Sequence, residues 1–293
     1  MSRKTQGIAC SVLSAIIYGF TPILARLAFE GGANGITVAF LRGALPLPLL
    51  FLLLRRRKTS LHPSKNWKPI LAAGVFGIAL TTLLLYMSYN HISVGMATTL
   101  HFTYPALVSL ACIVLFKDPI NRWKIAALVL CSLGIVLFLD SGNTTGFMGT
   151  VLALLSGVTY ALYMLWIDKS NLRHMHYLEL TFYLNICIAA TSGFYGLATG
   201  QLNLSLTPTA WILCALVGLF TAFGAIPLMQ QGIKLAGAPT AAILSTMEPL
   251  TSILLGVLVL GEAVSGVKII GSALILTSVL LLTISKDHLR HEG

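Results

Sequence analysis

Charged residues are scarce in this chain. Asp, Glu, Lys and Arg make up 10% of its 293 residues, where a soluble domain carries roughly a quarter, so a water-soluble fold is excluded. Acids are scarcer still, 9 against 19 Lys and Arg. They stand apart from one another, and the paired carboxylates, His–Asp/Glu dyads or clustered metal ligands that a membrane-embedded enzyme would need are missing. No ATP-binding motif is present, which removes pumping by hydrolysis. The five cysteines, Cys10, Cys112, Cys131, Cys187 and Cys214, lie in apolar stretches without CxxC or histidine spacing. They read as small packing residues, and no metal, redox role or cofactor is expected. Long polar stretches are missing too: the largest connection, about 55–67, is too short for a domain outside a membrane.

What fills the chain is apolar sequence, 56% hydrophobic residues with a mean hydropathy of +0.87. A helix needs about 20 apolar residues to cross a ~30 Å hydrocarbon core. Ten stretches qualify, near 6–29, 36–54, 68–90, 95–116, 121–139, 147–167, 177–199, 209–231, 238–260 and 263–284. The expected fold is therefore an all-α integral membrane protein of ten transmembrane helices. The start, Met1-Ser2-Arg3-Lys4 before an apolar run, imitates a signal peptide, but the run is too long and is read as the first span.

The second five stretches repeat the first five. Leu13-Ser14-x-x-x-Tyr18 recurs as Leu155-Ser156-x-x-x-Tyr160, and Tyr104-Pro105 recurs as Glu248-Pro249, at offsets of 142 and 144 positions. With an odd number of spans in each half, the halves enter the membrane from opposite sides. The expectation is two inverted five-helix repeats, 1–140 and 141–293, the build of a secondary transporter with its substrate path between them.

The net charge of +10 suggests nucleic acid until its placement is considered. With a cytoplasmic N-terminus, the inner loops and tails hold 16 of the 19 Lys and Arg, leaving Arg26, Arg42 and Lys268 elsewhere. That is the positive-inside bias, which places both termini in the cytoplasm and the chain in the cytoplasmic membrane. The expected partners are the lipid bilayer and a small-molecule substrate, not nucleic acid; a homodimer is left open.

From the ninth stretch onward the sequence is specific. Ala241-Ala242-Ile243-Leu244-Ser245-Thr246-Met247-Glu248-Pro249-Leu250, then Leu260-Gly261-Glu262 and Gly271-Ser272-Ala273-Leu274-Ile275, resembles the closing signature of the EamA family of the drug/metabolite transporter superfamily. Tyr18-Gly19, Arg42 in the second stretch and Tyr104-Pro105 in the fourth agree with it; Phe116-Lys117-Asp118, the counterpart of Leu260-Gly261-Glu262, departs from it. The resemblance implies a metabolite carrier, usually an exporter, of amino acids or similar polar compounds.

Glu248 is the leading candidate for the substrate path, ~15 Å deep in its span at 1.5 Å per residue. An intramembrane acid points to function by default. It is expected to carry a proton or accept a substrate amino group, the alternative being interhelical glue. Pro249 is expected to leave the carbonyl of Ser245 free for a polar ligand. Ser245, Glu248 and Ser252 share a helical face. In the first half Tyr104 takes the equivalent position, with His101 and Thr98 beside it. His101 is a candidate proton relay or outer gate, or else a packing residue. Polar stripes add Tyr18, Tyr86, Tyr160 and Tyr163 to the expected cavity lining, and Gln230 answers to Tyr86 by the repeat offset. Tyr89 and Trp166 are assigned to the interfacial belt. Arg42 is assigned to snorkelling toward the outer headgroups, the alternatives being a bond to a substrate carboxylate or a pair with an acid such as Glu30 in the outer loop. Asp118-Pro119 and Gly261-Glu262 are assigned to turns, the latter with Glu262 against the next helix dipole.

The expected function is alternating-access export of a neutral or aromatic amino acid or related metabolite, with proton coupling through Glu248 and His101 as a separate hypothesis. A lipid flippase of the same fold is the alternative, and a membrane enzyme a weaker one.

Overall fold

The computed structural model describes residues 3–57, 67–117, 122–137, 144–245, 247–262 and 266–291, and all regular structure among them is helical. Lys58, Lys65 and the Asp118-Pro119 turn lie outside the described residues. The first half begins with α1 (Arg3–Glu30), which runs on through Pro22 without interruption. Next come α2 (Gly35–Ala44) and α3 (Leu47–Arg56), separated at Leu45-Pro46. α2 starts where the Asn34 side chain accepts the Thr37 N–H at 2.8 Å, a side-chain N-cap. α4 (Trp67–Leu71), a π-helical segment (Ala72–Ala79) and α5 (Leu80–Ser88) then form one continuous helix. α6 (Val94–His101) and α7 (Tyr104–Phe116) are two halves of a broken helix, and α8 (Arg122–Val136) follows.

The second half opens with α9 (Thr144–Lys169), a 3-10 turn (Asn171–His174) and α10 (Tyr177–Ala198). α11 (Pro208–Phe220) joins α12 (Ile226–Ala236) through a second π-helical segment, Thr221–Ala225. α13 (Ala238–Leu244) and α14 (Met247–Leu260) are again halves of a broken helix, and α15 (Gly266–His291) closes the described chain. Pro105 and Pro249 each fall in the first turn of a half-helix, where the missing N–H costs nothing; Pro227 lies inside a continuous helix, just past the π-helical segment Thr221–Ala225.

Among the described residues, eight helical stretches are long and apolar enough to cross a membrane. Where the fifth and tenth spans are expected, the apolar helical parts are shorter, Ile125–Gly134 and Ile269–Ser278. The side chains are distributed as lipid requires: Phe194, Leu197 and Leu258 are 77%, 74% and 71% exposed on the outside, while Ser14, Thr21, Arg42, Thr82, Gln230 and Glu248 are buried.

The packing repeats with the halves exchanged. α5 and its π-helical segment lie on α9, as α12 and its π-helical segment lie on α1. α6 and α7 lie on α9, as α14 and α13 lie on α1; α2 pairs with α10, α6 with α14 and α8 with α15. Small residues allow the closest approaches. A Cβ on Gly77 would stand 2.8 Å from the Cβ of Tyr163, and a Cβ on Gly19 would stand 2.5 Å from the carbonyl oxygen of Glu248. At Gly19 the obstacle is backbone, so α1 has to move off α14 to accept a side chain. Gly19→Val is expected to destabilise the purified protein by about 1–3 kcal/mol or more, seen as a lowered melting temperature in detergent. An unchanged melting temperature would contradict this contact.

Candidate functional site

The two helix breaks face the same interior. At the second, Ser245 ends one half-helix and Glu248 stands in the first turn of the next, where the exposed N–H groups and the helix dipole favour a negative charge. The Glu248 N–H donates to the Ser245 carbonyl at 2.9 Å. That carbonyl is therefore engaged within the turn, correcting the expectation that Pro249 frees it for a ligand. The Ser245 hydroxyl donates to Ala241 O at 2.8 Å and that of Ser252 to Gly19 O at 3.0 Å. These two hydroxyls hold the backbone together, while the Glu248 carboxyl, on a residue 4% exposed, is turned inward.

At the first break Tyr104 opens α7 and is fully buried. Its ring lies 4.7 Å from that of Tyr160, which in turn lies 5.4 Å from Tyr163 and 6.5 Å from Tyr18. His101 touches both Tyr104 and Tyr160, with centroids 5.4 and 5.3 Å apart. Its Nδ1 is 2.8 Å from the Ser156 hydroxyl, so the imidazole adjoins the tyrosines while bonded to α9. Gln230 donates to Thr181 at 3.2 Å and stands beside Tyr163, so its neighbours are α9 and α10 rather than Tyr86.

Arg42 is the residue that sequence reasoning misplaced. It is 5% exposed and does not reach the headgroups. Its Nη1 donates to Thr82 at 3.2 Å, and its guanidinium lies over the rings of Tyr18 and Tyr86, 5.9 and 5.6 Å from their centroids. The snorkelling expectation counted residues from the helix end, but α2 packs against α10, α5 and α11 and turns this face inward. A visible signal was Thr82 and Tyr86, four apart on the third span. Tyr89 is corrected likewise: it is 1% exposed, not in an interfacial belt, with its ring 5.4 Å from Tyr86. Trp166, by contrast, is only half-buried.

The interior is polar and incompletely bonded. The hydroxyls of Tyr18, Tyr89, Tyr104, Tyr160 and Tyr163, Nε of Arg42 and Oε1 of Gln230 are buried with no hydrogen bond of good geometry within 3.5 Å, although polar side chains stand near several of them: Tyr160 by Tyr18, Thr98 by Tyr89, Ser245 by Tyr104 and Gln230 by Tyr163. Each unmet buried group costs about 1–3 kcal/mol, so the arrangement suits water or a polar ligand that supplies the missing bonds. Among the described residues no ion pair within 4 Å joins Arg42 to Glu248, yet each lies within electrostatic reach of the other.

Above this interior, at the end expected to face outward, is a cavity of about 500 Å³ lined by Arg26, Glu30, Tyr89, Asn90, His91 and Glu262, among others. Tyr89 borders both spaces, lining the cavity and packing on Tyr86. Arg26 donates to the Tyr89 carbonyl at 2.6 Å, tying α1 to the end of α5.

The sequence profile of the EamA-like transporter family matches residues 5–140 and again 147–284. The chain belongs to the EamA-like transporter family. It is a multi-pass membrane transporter of that type. An uncharacterized transporter of Synechocystis sp. is 26% identical, with 96% of this chain and 94% of the relative covered. The uncharacterized transporter YcbK of Bacillus subtilis is also 26% identical, over 92% and 90%. The uncharacterized inner membrane transporter YicL of Salmonella typhimurium is 23% identical, over 97% of each. A solved crystal structure shares the fold at a TM-score of 0.64 and 18% identity, covering 94% of this chain and 98% of the other.

In this EamA-like chain, Leu260-Gly261-Glu262 is built as a clasp. Gly261 takes a φ of +64°, a left-handed turn that favours glycine. Glu262 then accepts the Val94 N–H at 2.6 Å and the Gly95 N–H at 3.1 Å. It caps α6, across the bundle, rather than the helix that follows it in sequence. Glu262→Ala is expected to destabilise the protein by about 1–2 kcal/mol, read as a melting temperature a few degrees lower. No change would mean that the clasp is not made.

Proposed function

We propose that this EamA-like chain exports a small polar metabolite, foremost a neutral or aromatic amino acid, across the cytoplasmic membrane by alternating access. The observation that carries the proposal is the interior at the two helix breaks: a buried acid and a buried cation among tyrosine hydroxyls that lack a hydrogen bond of good geometry. Aromatic walls offer contact to an apolar side chain, and the unpaired polar groups give a polar ligand its hydrogen bonds.

The carrier moves by rocking two inverted repeats, 1–140 and 141–293, with both termini in the cytoplasm. Three features support this. The landmarks recur at a nearly constant offset, the helix contacts recur with the halves exchanged, and the cations gather on the loops of one side. The bundle is also uneven along its axis. One end holds the cavity of about 500 Å³. Toward the other, a Cβ on Gly7 would stand 2.9 Å from the Leu235 side chain, and Arg173 donates to Lys234 O at 3.0 Å. Such unevenness suits a carrier that opens to one side at a time. A lipid flippase is less well supported: the lateral groove of about 280 Å³ between α7 and α9 is lined by Leu, Val and Ala alone.

Counterflow in proteoliposomes tests the transport reading. Preloading with the right amino acid is expected to accelerate entry of its labelled form; no acceleration by any amino acid would remove it. Proton coupling is the second part of the reading, supported by a carboxyl buried in the bundle interior, 4% exposed, that forms no ion pair with Arg42. If Glu248 carries the proton, Glu248→Gln abolishes the response of flux to an imposed pH gradient while the protein still folds. A pH response identical to that of the unaltered protein leaves Glu248 with binding or packing alone.

A further inference from the structure

Arg42 is a permanent charge in a place where charge is costly. A guanidinium stays protonated, and burying an ion without a counter-ion costs several kcal/mol even after relaxation. Lone cations in membrane helices snorkel or pair; Arg42 does neither. It stands in the last turn of α2, where the helix dipole favours a cation but does not neutralise it. Thr82 takes one Nη1 hydrogen at 3.2 Å, the neutral hydroxyl of Tyr86 is a second polar neighbour of the guanidinium, and Tyr18 and Tyr86 offer their ring faces. Nε has no partner in the chain. What is missing is an acceptor of opposite charge shaped for the guanidinium fork, which a carboxylate is.

Glu248 supplies the other sign. It is buried on the far broken helix, within electrostatic reach of Arg42 but not in an ion pair with it. Tyr18 lies between them in the packing: its ring faces Arg42, and the next residue, Gly19, has its α-carbon against the Glu248 backbone. Two opposite charges held apart in a low-dielectric interior favour a ligand that carries both signs and bridges them.

We propose that Arg42 recognises the substrate carboxylate, so that the cargo is a zwitterion held with its carboxylate at Arg42 and its ammonium at Glu248. This rests on the transport reading above and narrows it: amines lacking a carboxylate and acids lacking an ammonium are poor cargo. Tyr104, Tyr160 and Tyr163 flank the side-chain end. In the alternative, Arg42 serves only as a distant counter-charge for Glu248, and the substrate needs no carboxylate.

The test uses the full chain, purified and reconstituted, and matched probes that share one side chain. One set is phenylalanine, phenethylamine and 3-phenylpropionate; the other is leucine, isopentylamine and 4-methylpentanoate. Counterflow and the ligand-induced rise in melting temperature are read for each. The unaltered protein is expected to prefer the amino acid at least tenfold over both truncated probes. Arg42→Gln is expected to erase the preference over the amine while keeping that over the acid, and Glu248→Gln to do the reverse. Arg42→Lys, which keeps the charge without the fork, retains part of the preference. If the unaltered protein takes the amine as well as the amino acid, or if Arg42→Gln keeps the original preference, the assignment of Arg42 falls while the transport reading stands. If Arg42→Gln does not fold, the probe comparison on the unaltered protein and on Arg42→Lys decides. If no proteinogenic amino acid is moved or bound, the amino-acid transport reading fails, and the proposal with it.

Discussion

A polar group turned toward the hydrocarbon of a bilayer finds no hydrogen bond there, so it is bonded within the protein or faces an interior that water or a ligand can enter. That constraint orders this structure. Serine and threonine side chains along the helices return their protons to carbonyls three or four residues back, as Ser11, Thr98, Thr99, Thr221 and Ser245 do. Others bond a neighbouring helix, Ser14 to Ala225 and Ser252 to Gly19. The helix starts at the bundle ends are capped by Asn34, Ser93, Thr207 and Glu262. Several of the groups that leave the same constraint unmet, on Tyr18, Tyr104, Tyr160, Tyr163 and Arg42, lie together in one interior.

The broken helices are the means of reaching that interior. A continuous helix consumes its own N–H and C=O groups and presents only side chains. A break at Phe102-Thr103 or after Leu244 brings a fresh helix N-terminus into the middle of the bundle. Proline just past each break makes it cheap, and glycine on the facing helix, Gly157 against His101 O and Gly19 against Glu248 O, lets another backbone come up to it. The two π-helical segments, Ala72–Ala79 and Thr221–Ala225, occupy corresponding helices of the two halves. The departures from regular helix therefore follow the repeat, as they would if they served a shared centre.

Much of this was legible before any coordinates. Apolar runs of twenty residues announce membrane helices because nothing else of that length and composition is stable there. The recurrence of Tyr104-Pro105 as Glu248-Pro249 marks both breaks, since a proline in mid-span removes a helix hydrogen bond and the polar residue beside it needs a partner away from lipid. Of the tyrosines chosen from stripes, Tyr18, Tyr160 and Tyr163 pack together and Tyr86 lies against Arg42, because the 3.6-residue period puts one face inward once the helix is known. Arg42 and Tyr89 were misplaced for one shared reason. Depth was counted along the helix axis from its end, and distance from a helix end says nothing about which way the helix face is turned.

The sequence by itself determined the helices, the repeat and the polar positions within each span, because all three are periodic and local. Rotation of each helix about its axis was decided only by tertiary packing, through contacts between residues far apart in the chain. Gly19 meets Glu248 across 229 positions, and Val94 meets Glu262 across 168. No local pattern encodes such pairs. It is that rotation which carries Arg42 to the ring faces of Tyr18 and Tyr86, and so puts a cation and an acid into the same buried interior.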